Sequence, residues 1–145
     1  MATPEVLLCG DDGKWHTMAL AGTMAATLDD SCWTAKDREE QRMVAQYVAQ
    51  CVGRNAVEMA QSGSQTIVAG QLKHLRTDFT FTLSPSSNMS AILSELHPTP
   101  AVCGVPKHEA RQFILQNEHL DRRYYSGFAG PVGIGAHSDD FAAQL

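Results

Sequence analysis

The run Thr34-Ala35-Lys36-Asp37-Arg38-Glu39-Glu40-Gln41-Arg42-Met43-Val44-Ala45-Gln46-Tyr47-Val48-Ala49-Gln50-Cys51-Val52 decides how the chain is read. Thr34 can act as an N-cap, and Asp37 sits three residues on, where a variant capping box puts its acidic partner. Met43, Val44, Tyr47, Val48, Cys51 and Val52 then recur at helical spacing. The pattern predicts a helix to about Gln61, weakened or bent at Gly53 and ended by Ser62-Gly63-Ser64.

Outward from that helix the period changes. Upstream, Val6-Leu7-Leu8, the turn Gly10-Asp11-Asp12-Gly13 and the alternation from Lys14 to Leu20 predict a hairpin over residues 5–21. Gly22-Thr23 closes it, and a loop leads to Trp33. Downstream, Thr66 to Ala69 and Gln71 to Leu83 predict strands, with Asp78-Phe79-Thr80-Phe81-Thr82-Leu83 alternating cleanly. Asn88 can cap a short helix with Met89, Ile92, Leu93 and Leu96 on one side. His97-Pro98-Thr99-Pro100 stops it, because proline keeps its predecessor out of the α region. Another helix runs from Pro106 to about Asn117 with Ala110, Phe113 and Ile114 inward. Tyr124 to Ala136 reads as one or two strands, and Phe141 to Leu145 begins another. The fold class is α+β, with hairpin-like strands and about three helices.

Composition bounds the rest. The 145 residues suit one domain, and 43% are hydrophobic, enough for a core. Eleven basic against sixteen acidic residues leave a net charge of −5, which offers no basic field to a nucleic acid. No apolar run approaches the roughly 18 residues of a membrane span. Cytoplasm is the expected location. Cys9, Cys32, Cys51 and Cys103 are scattered, without a CxxC or zinc-ligand spacing, so reduced and mostly buried thiols are expected.

The first turn of the long helix is the most informative place for chemistry. At about 100° per residue, the stripe of residues 43, 44, 47, 48 and 51 centres near Glu40, with Lys36 and Asp37 on the same side. Two readings stay open. The carboxylates can be a capping cluster favoured by the helix dipole and paired with Lys36. They can also collect a hard cation such as Mg²⁺, which takes one or two carboxylates with waters and an anionic substrate. Glu5 heads a strand, where a carboxylate is usually solvated. His97 lies in a proline-locked loop of the kind that often serves binding, although a lone histidine is more commonly structural. The other histidines form no metal pattern. Gly130-Pro131-Val132-Gly133-Ile134-Gly135 lacks the spacing and following helix of a nucleotide loop.

Seven blocks in order carry a resemblance. They are Thr3-Pro4-Glu5, Ala19-Leu20-Ala21-Gly22-Thr23, Ala35-Lys36-Asp37-Arg38-Glu39-Glu40 and Lys73-His74-Leu75-Arg76-Thr77. Leu96-His97-Pro98-Thr99-Pro100-Ala101-Val102-Cys103-Gly104, Leu120-Asp121-Arg122-Arg123-Tyr124-Tyr125 and Ser126-Gly127-Phe128-Ala129-Gly130-Pro131-Val132-Gly133 complete the set. Together they resemble the chorismate-utilising enzymes, and among these the isochorismate synthases of the menaquinone branch. The resemblance implies antiparallel sheets flanked by helices, chorismate as substrate and Mg²⁺ as cofactor. It implies addition of water at C2 of chorismate while the C4 hydroxyl leaves, with a general base, a general acid and a Lewis-acidic metal. Glu5 matches the general acid, and Glu40 and Asp37 match metal-binding positions. Gly22 and Thr23 match the substrate loop, His97 the histidine facing the ring, and Ala101 and Tyr125 pocket positions.

Departures from the family pattern shape the expectation. Gln41 stands where many members carry histidine. The general-base lysine is expected upstream of the acid motif, and the remaining metal glutamates and a substrate arginine beyond Leu145. Residues 1–145 are therefore expected to be part of a single chorismate-binding domain truncated at both ends, inactive alone and self-associating through exposed sheet edges. The sibling reading is the anthranilate or aminodeoxychorismate synthase large subunit, which tends to carry Gly-Thr where this chain has Pro100-Ala101. Salicylate-forming relatives share the scaffold. A non-catalytic chorismate-binding remnant is the reading from a different class.

Overall fold

The alternating stretch around Phe79 becomes the axis of the sheet. In the computed structural model, which describes residues 5–11, 13–121, 125–132 and 141–144, β5 (Leu72–Leu83) pairs antiparallel with β2 (Lys14–Ala25). Lys14 faces Thr82 at one end and Ala25 faces Leu72 at the other. β1 (Val6–Asp11) lies beside β2, and β6 (Phe141–Gln144) beside β1. β3 (Ala56–Gln61) and β4 (Gln65–Ala69) share the other edge of β5, so the order is β3-β5-β2-β1-β6 with β4 also on β5. Every pairing is antiparallel.

One face of this sheet carries the helices α1 (Ala35–Asn55) and α2 (Met89–Leu96). Phe79 and Phe81 of β5 and Ala19 and Ala21 of β2 meet Val44, Val48, Cys51 and Val52 of α1. Ile92, Leu93 and Leu96 of α2 close the same cluster, as their spacing predicts. Burial of these side chains is the main force holding the layers together.

A single main-chain oxygen ties the helical layer. Glu95 O accepts the Tyr47 hydroxyl at 2.5 Å and the Lys107 ammonium at 2.7 Å, with the Cys51 thiol at 3.8 Å. Lys107 opens α4 (Lys107–Asn117), which follows the short α3 (Pro100–Cys103). The Glu95 carboxylate separately pairs with Arg54 at 2.7 Å.

The structure corrects several boundaries. The long helix stops at Asn55, not Gln61, and residues 56–61 are strand. Asn55 is buried, its Nδ2 donates to Cys51 O at 2.9 Å, and its own carbonyl accepts from Ser84 N at 2.7 Å. That turns the chain into register with Phe79–Leu83 of β5, and pairing overrides the helix-forming composition of Ala56–Gln61. Gly22-Thr23 does not end the hairpin, since β2 continues to Ala25. α4 buries no side chain, and Phe113 is 66% exposed instead of inward. Residues 125–132 hold only isolated bridge residues at Ala129 and Val132, not a strand, while Tyr124 and residues 133–136 lie outside the described residues. All four cysteines are free, but only Cys51 and Cys103 are buried.

Candidate active site

The first turn of α1 is built by local chemistry. Thr34 Oγ1 accepts from Asp37 N at 3.2 Å, and Asp37 Oδ2 accepts from Thr34 N at 3.0 Å, completing the capping box. The Thr34 hydroxyl also donates to Asp37 Oδ2, and these bonds hold the Asp37 carboxyl below the usual carboxylate range. Asp37 is half-buried, whereas Lys36 and Glu40 are exposed. The inward face of α1 is Gln41, Val44, Ala45, Val48, Cys51, Val52 and Asn55, and Met43 is 40% exposed. The stripe therefore centres one residue away from Glu40, which corrects its inward placement. Tyr47 faces α2 and α4 instead of the sheet, and counting it with the core pulls the azimuth askew.

Opposite this turn, β2 carries a bulge. Ala21 pairs with Leu75 and Met24 with Lys73, so Gly22 and Thr23 together stand against His74. Gly22 has φ +72°, the left-handed conformation such a bulge demands. A Cβ there would meet Trp33 at 3.3 Å and the Asp37 Cβ at 3.6 Å. His74 Nδ1 lies 3.1 Å from both Gly22 O and Thr23 Oγ1. The carbonyl can only accept, so Nδ1 carries the proton.

The intervening loop is pinned at both ends. Trp33, 5% exposed, donates Nε1–H to Thr66 Oγ1 at 3.0 Å. Lys73 Nζ donates to Leu28 O at 2.8 Å and Asp30 Oδ1 at 2.9 Å. Gly22, Thr23 and Asp37 are thus brought together around Trp33. Sequence reasoning assigns no role to His74, Trp33 or Lys73. The signals at His74 are its place in the block Lys73-His74-Leu75-Arg76-Thr77 and the strand alternation, which puts residue 74 on the face with 76 and 78.

Glu5 heads β1 and departs from the solvated expectation. Burial removes water from its carboxyl and pushes its pKa up to about 7. It can therefore hold a proton near neutrality and release it, the property a general acid needs.

His97 caps α2, its N–H donating to Leu93 O at 2.9 Å. Its ring stands edge-on to Phe128 with centroids 5.2 Å apart, and its Nδ1 is buried without a partner. Burial, then the neighbouring Lys107 charge, lowers its proton affinity, so the ring is neutral at pH 7. Lys107 Nζ donates to His97 O at 2.9 Å. Ala101 and Tyr125 are both exposed. No hydrogen bond or ion pair joins Glu5, Glu40 and His97 to one another among the described residues.

The fit to a divalent cation is limited. Among the described residues no three His, Cys, Asp or Glu side chains form a metal-binding group. Asp37 Oδ2 is committed to Thr34 and Glu39 to Arg42, which leaves Glu40 as the carboxylate of the turn without a hydrogen bond or ion pair among the described residues. A single carboxylate suits Mg²⁺ when substrate and water complete its octahedron.

The chain is similar to known proteins along nearly its whole length. The family model described as chorismate binding enzyme matches residues 1–143. The chloroplastic isochorismate synthase of Catharanthus roseus is 35% identical over 149 residues, covering 94% of this chain and 25% of that protein. Isochorismate synthase MenF of Escherichia coli K12 is 31% identical over 153 residues, covering 99% of this chain and 35% of that protein. The solved structure of the menaquinone-specific MenF superposes with a TM-score of 0.83 at 27% identity, over 98% of this chain and 34% of that one. The chain thus spans a quarter to about a third of the length of these relatives. The family match over residues 1–143, with relatives above 30% identity along nearly the whole chain, places this chain in the chorismate binding enzyme family.

Proposed function

We propose that this chain supplies the acid half of an isochorismate synthase, the part of a chorismate-binding domain that protonates the leaving group and offers one carboxylate to Mg²⁺. The observation that carries the reading is Glu5, a desolvated carboxyl with a pKa of about 7 at the head of a strand. In the reaction, water adds at C2 of chorismate and gives its proton to a base, while the C4 oxygen takes a proton from Glu5 and leaves as water. The double bonds shift between those carbons, and atoms balance. His97, neutral and with an unpartnered buried Nδ1, faces the substrate ring as a hydrogen-bonding group. Gly22 and Thr23, fixed by His74, line the substrate. Ala101 and Tyr125 shape the pocket, and Pro100-Ala101 favours water over ammonia as nucleophile.

Glu40 is the residue to hold Mg²⁺, with Asp37 ordering the turn that carries it. When bound, the metal acts as a Lewis acid toward the substrate carboxylate. This chain spans only a quarter to about a third of those relatives' length, so the base and the remaining ligands are assigned to the rest of such a protein, and residues 1–145 alone are expected to be inactive. The test is isochorismate formation by the complete reading frame, with Glu5→Gln lowering kcat by about 10² to 10⁴ and KM largely kept. A variant that lost only binding would move Glu5 to positioning. An enzymatic rate from the 145-residue chain alone would overturn the division into halves.

A further inference from the structure

The helix α4 buries no side chain, yet its first residue turns back into the fold. Lys107 reaches the end of α2, where the last carbonyls of a helix have no partner within it. Its Nζ donates to Glu95 O at 2.7 Å, to His97 O at 2.9 Å and to Ser94 O at 3.5 Å. An ammonium has three donors and no acceptor, and here it meets three oxygens. The same nitrogen stands 5.5 Å from the centre of the Tyr47 ring. A cation at this place also faces the negative end of the α2 dipole. The lysine is half-buried, and burial lowers its hold on the proton. The carbonyls and the ring face offset that cost.

This clamp ends on a residue with chemistry of its own. Lys107 holds His97 at its carbonyl, and Leu93 O holds it at its N–H, each at 2.9 Å. The main chain from which the imidazole projects is therefore fixed on both sides. Phe128 stands against the ring and Nδ1 is buried, which leaves Nε2 as the nitrogen able to meet a ligand. The charged and titratable groups around the junction are Tyr47 and Cys51 of α1, Glu95 of α2 (paired with Arg54), Cys103 of α3 and Arg111 of α4. Besides burial, Lys107 is the group among the described residues that acts on the proton affinity of His97, by repelling the charged ring.

We infer that Lys107 is a positioning residue for His97, an ammonium that clamps the end of α2 and sets the place and the charge of the imidazole that meets the substrate. The inference rests on the reading of His97 as the group facing the substrate ring. A lysine that only sealed a helix end would matter through stability. A positioning lysine matters through its charge as well.

The experiment uses the complete reading frame that carries this chain, labelled in its histidine rings, with the His97 signal identified by its loss in His97→Gln. In the unsubstituted enzyme that signal should titrate below the range of free histidine. Lys107→Gln keeps N–H donors for the carbonyls and drops the charge. It should move the His97 titration and the acid limb of kcat/KM to higher pH, since the charged ring then forms more readily as pH falls. At neutral pH kcat/KM should fall about 10- to 100-fold. Lys107→Arg restores the charge and should return the titration and most of the rate. Tyr47→Phe removes another bond to Glu95 O without touching a charge, so it should lower the melting temperature and leave the titration in place. A His97 titration that Lys107→Gln leaves unmoved, or that Tyr47→Phe moves equally, would overturn the inference. So would an unsubstituted enzyme whose His97 titrates at or above the range of free histidine, a reading that needs no variant to fold. Full activity in His97→Gln would remove His97 from the substrate and take the inference with it. An inactive His97→Gln beside an unmoved titration would sink the inference alone.

Discussion

The head of β1 and the first turn of α1 each present a carboxylate, and they treat it in opposite ways. At Glu5 the surroundings exclude water and the group keeps its proton up to a pH of about 7. At the helix start the exposed Glu40 stands beside Asp37, whose hydrogen bonds to Thr34 favour the ionised form. Environment thus divides proton-holding from charge-holding between two regions of one small fold. The division has a stability side as well: Glu5 is held against its preference for water, whereas Glu40 stays in solvent and strains nothing.

The sharpest way to break that contrast is Glu40→Ala in the complete enzyme. Mg²⁺-dependent turnover should be abolished while the denaturant midpoint stays unchanged, because Glu40 is exposed and outside the core. Near-normal activity at ordinary Mg²⁺ would remove the charge-holding role.

Glu5→Gln should behave in the reverse sense on stability. Below about pH 4.5 the carboxyl is protonated whether the chain is folded or unfolded, and the substitution should be neutral. As pH rises toward 7 only the unfolded chain loses the proton, so wild type loses stability relative to the variant. By pH 8 the variant should be more stable by up to about 3 kcal/mol, at roughly 1.4 kcal/mol for each pH step separating the folded from the unfolded titration. Urea unfolding at pH 4 and pH 8 reads the difference, and a pH-independent gap would refute the buried proton.

Two glycines with positive φ refine the picture. Gly13 has φ +76° and open space where a Cβ would stand, while Gly22 has φ +72° and Trp33 at 3.3 Å from that position. Gly13→Ala should cost about 1 kcal/mol from the backbone alone. Gly22→Ala should cost about 2 kcal/mol, since the methyl must also displace the indole that seats α1. Equal shifts in melting temperature would mean that the bulge and the helix start are not packed as a unit.

The smallest effect belongs to the sheet edge. Val57 and Val68, 58% and 62% exposed on β3 and β4, lie on the outer edge beside β5. Concentration-dependent mass in sedimentation is expected for the 145-residue chain, and Val68→Lys should reduce it. A monomer at all concentrations would remove the edge as a contact.

What the sequence makes legible is local. The Thr34–Asp37 capping box, the strand through Phe79 and the Asn88 cap each depend on neighbours a few residues away, and the structure holds them all. What it hides is pairing at a distance. Ala56–Gln61 looks helical until Phe79–Leu83 is available as a partner. Glu40 looks central when Met43 and Tyr47 are counted with the core, yet the turn is anchored by Gln41, a polar residue whose partners lie 22 and 36 positions away. Glu5 carries no local sign of burial. His74 becomes meaningful only once the bulge places two residues against it.

The junction at Glu95 has a consequence for how this fold tolerates change. Its acceptor is the main-chain oxygen, which every amino acid carries, so no codon change at position 95 can delete it. Substituting the side chain discards the Arg54 pair and leaves the Tyr47 and Lys107 bonds in place. A substitution should therefore be mild at the hub of the helical layer and severe at its spokes, Tyr47 and Lys107.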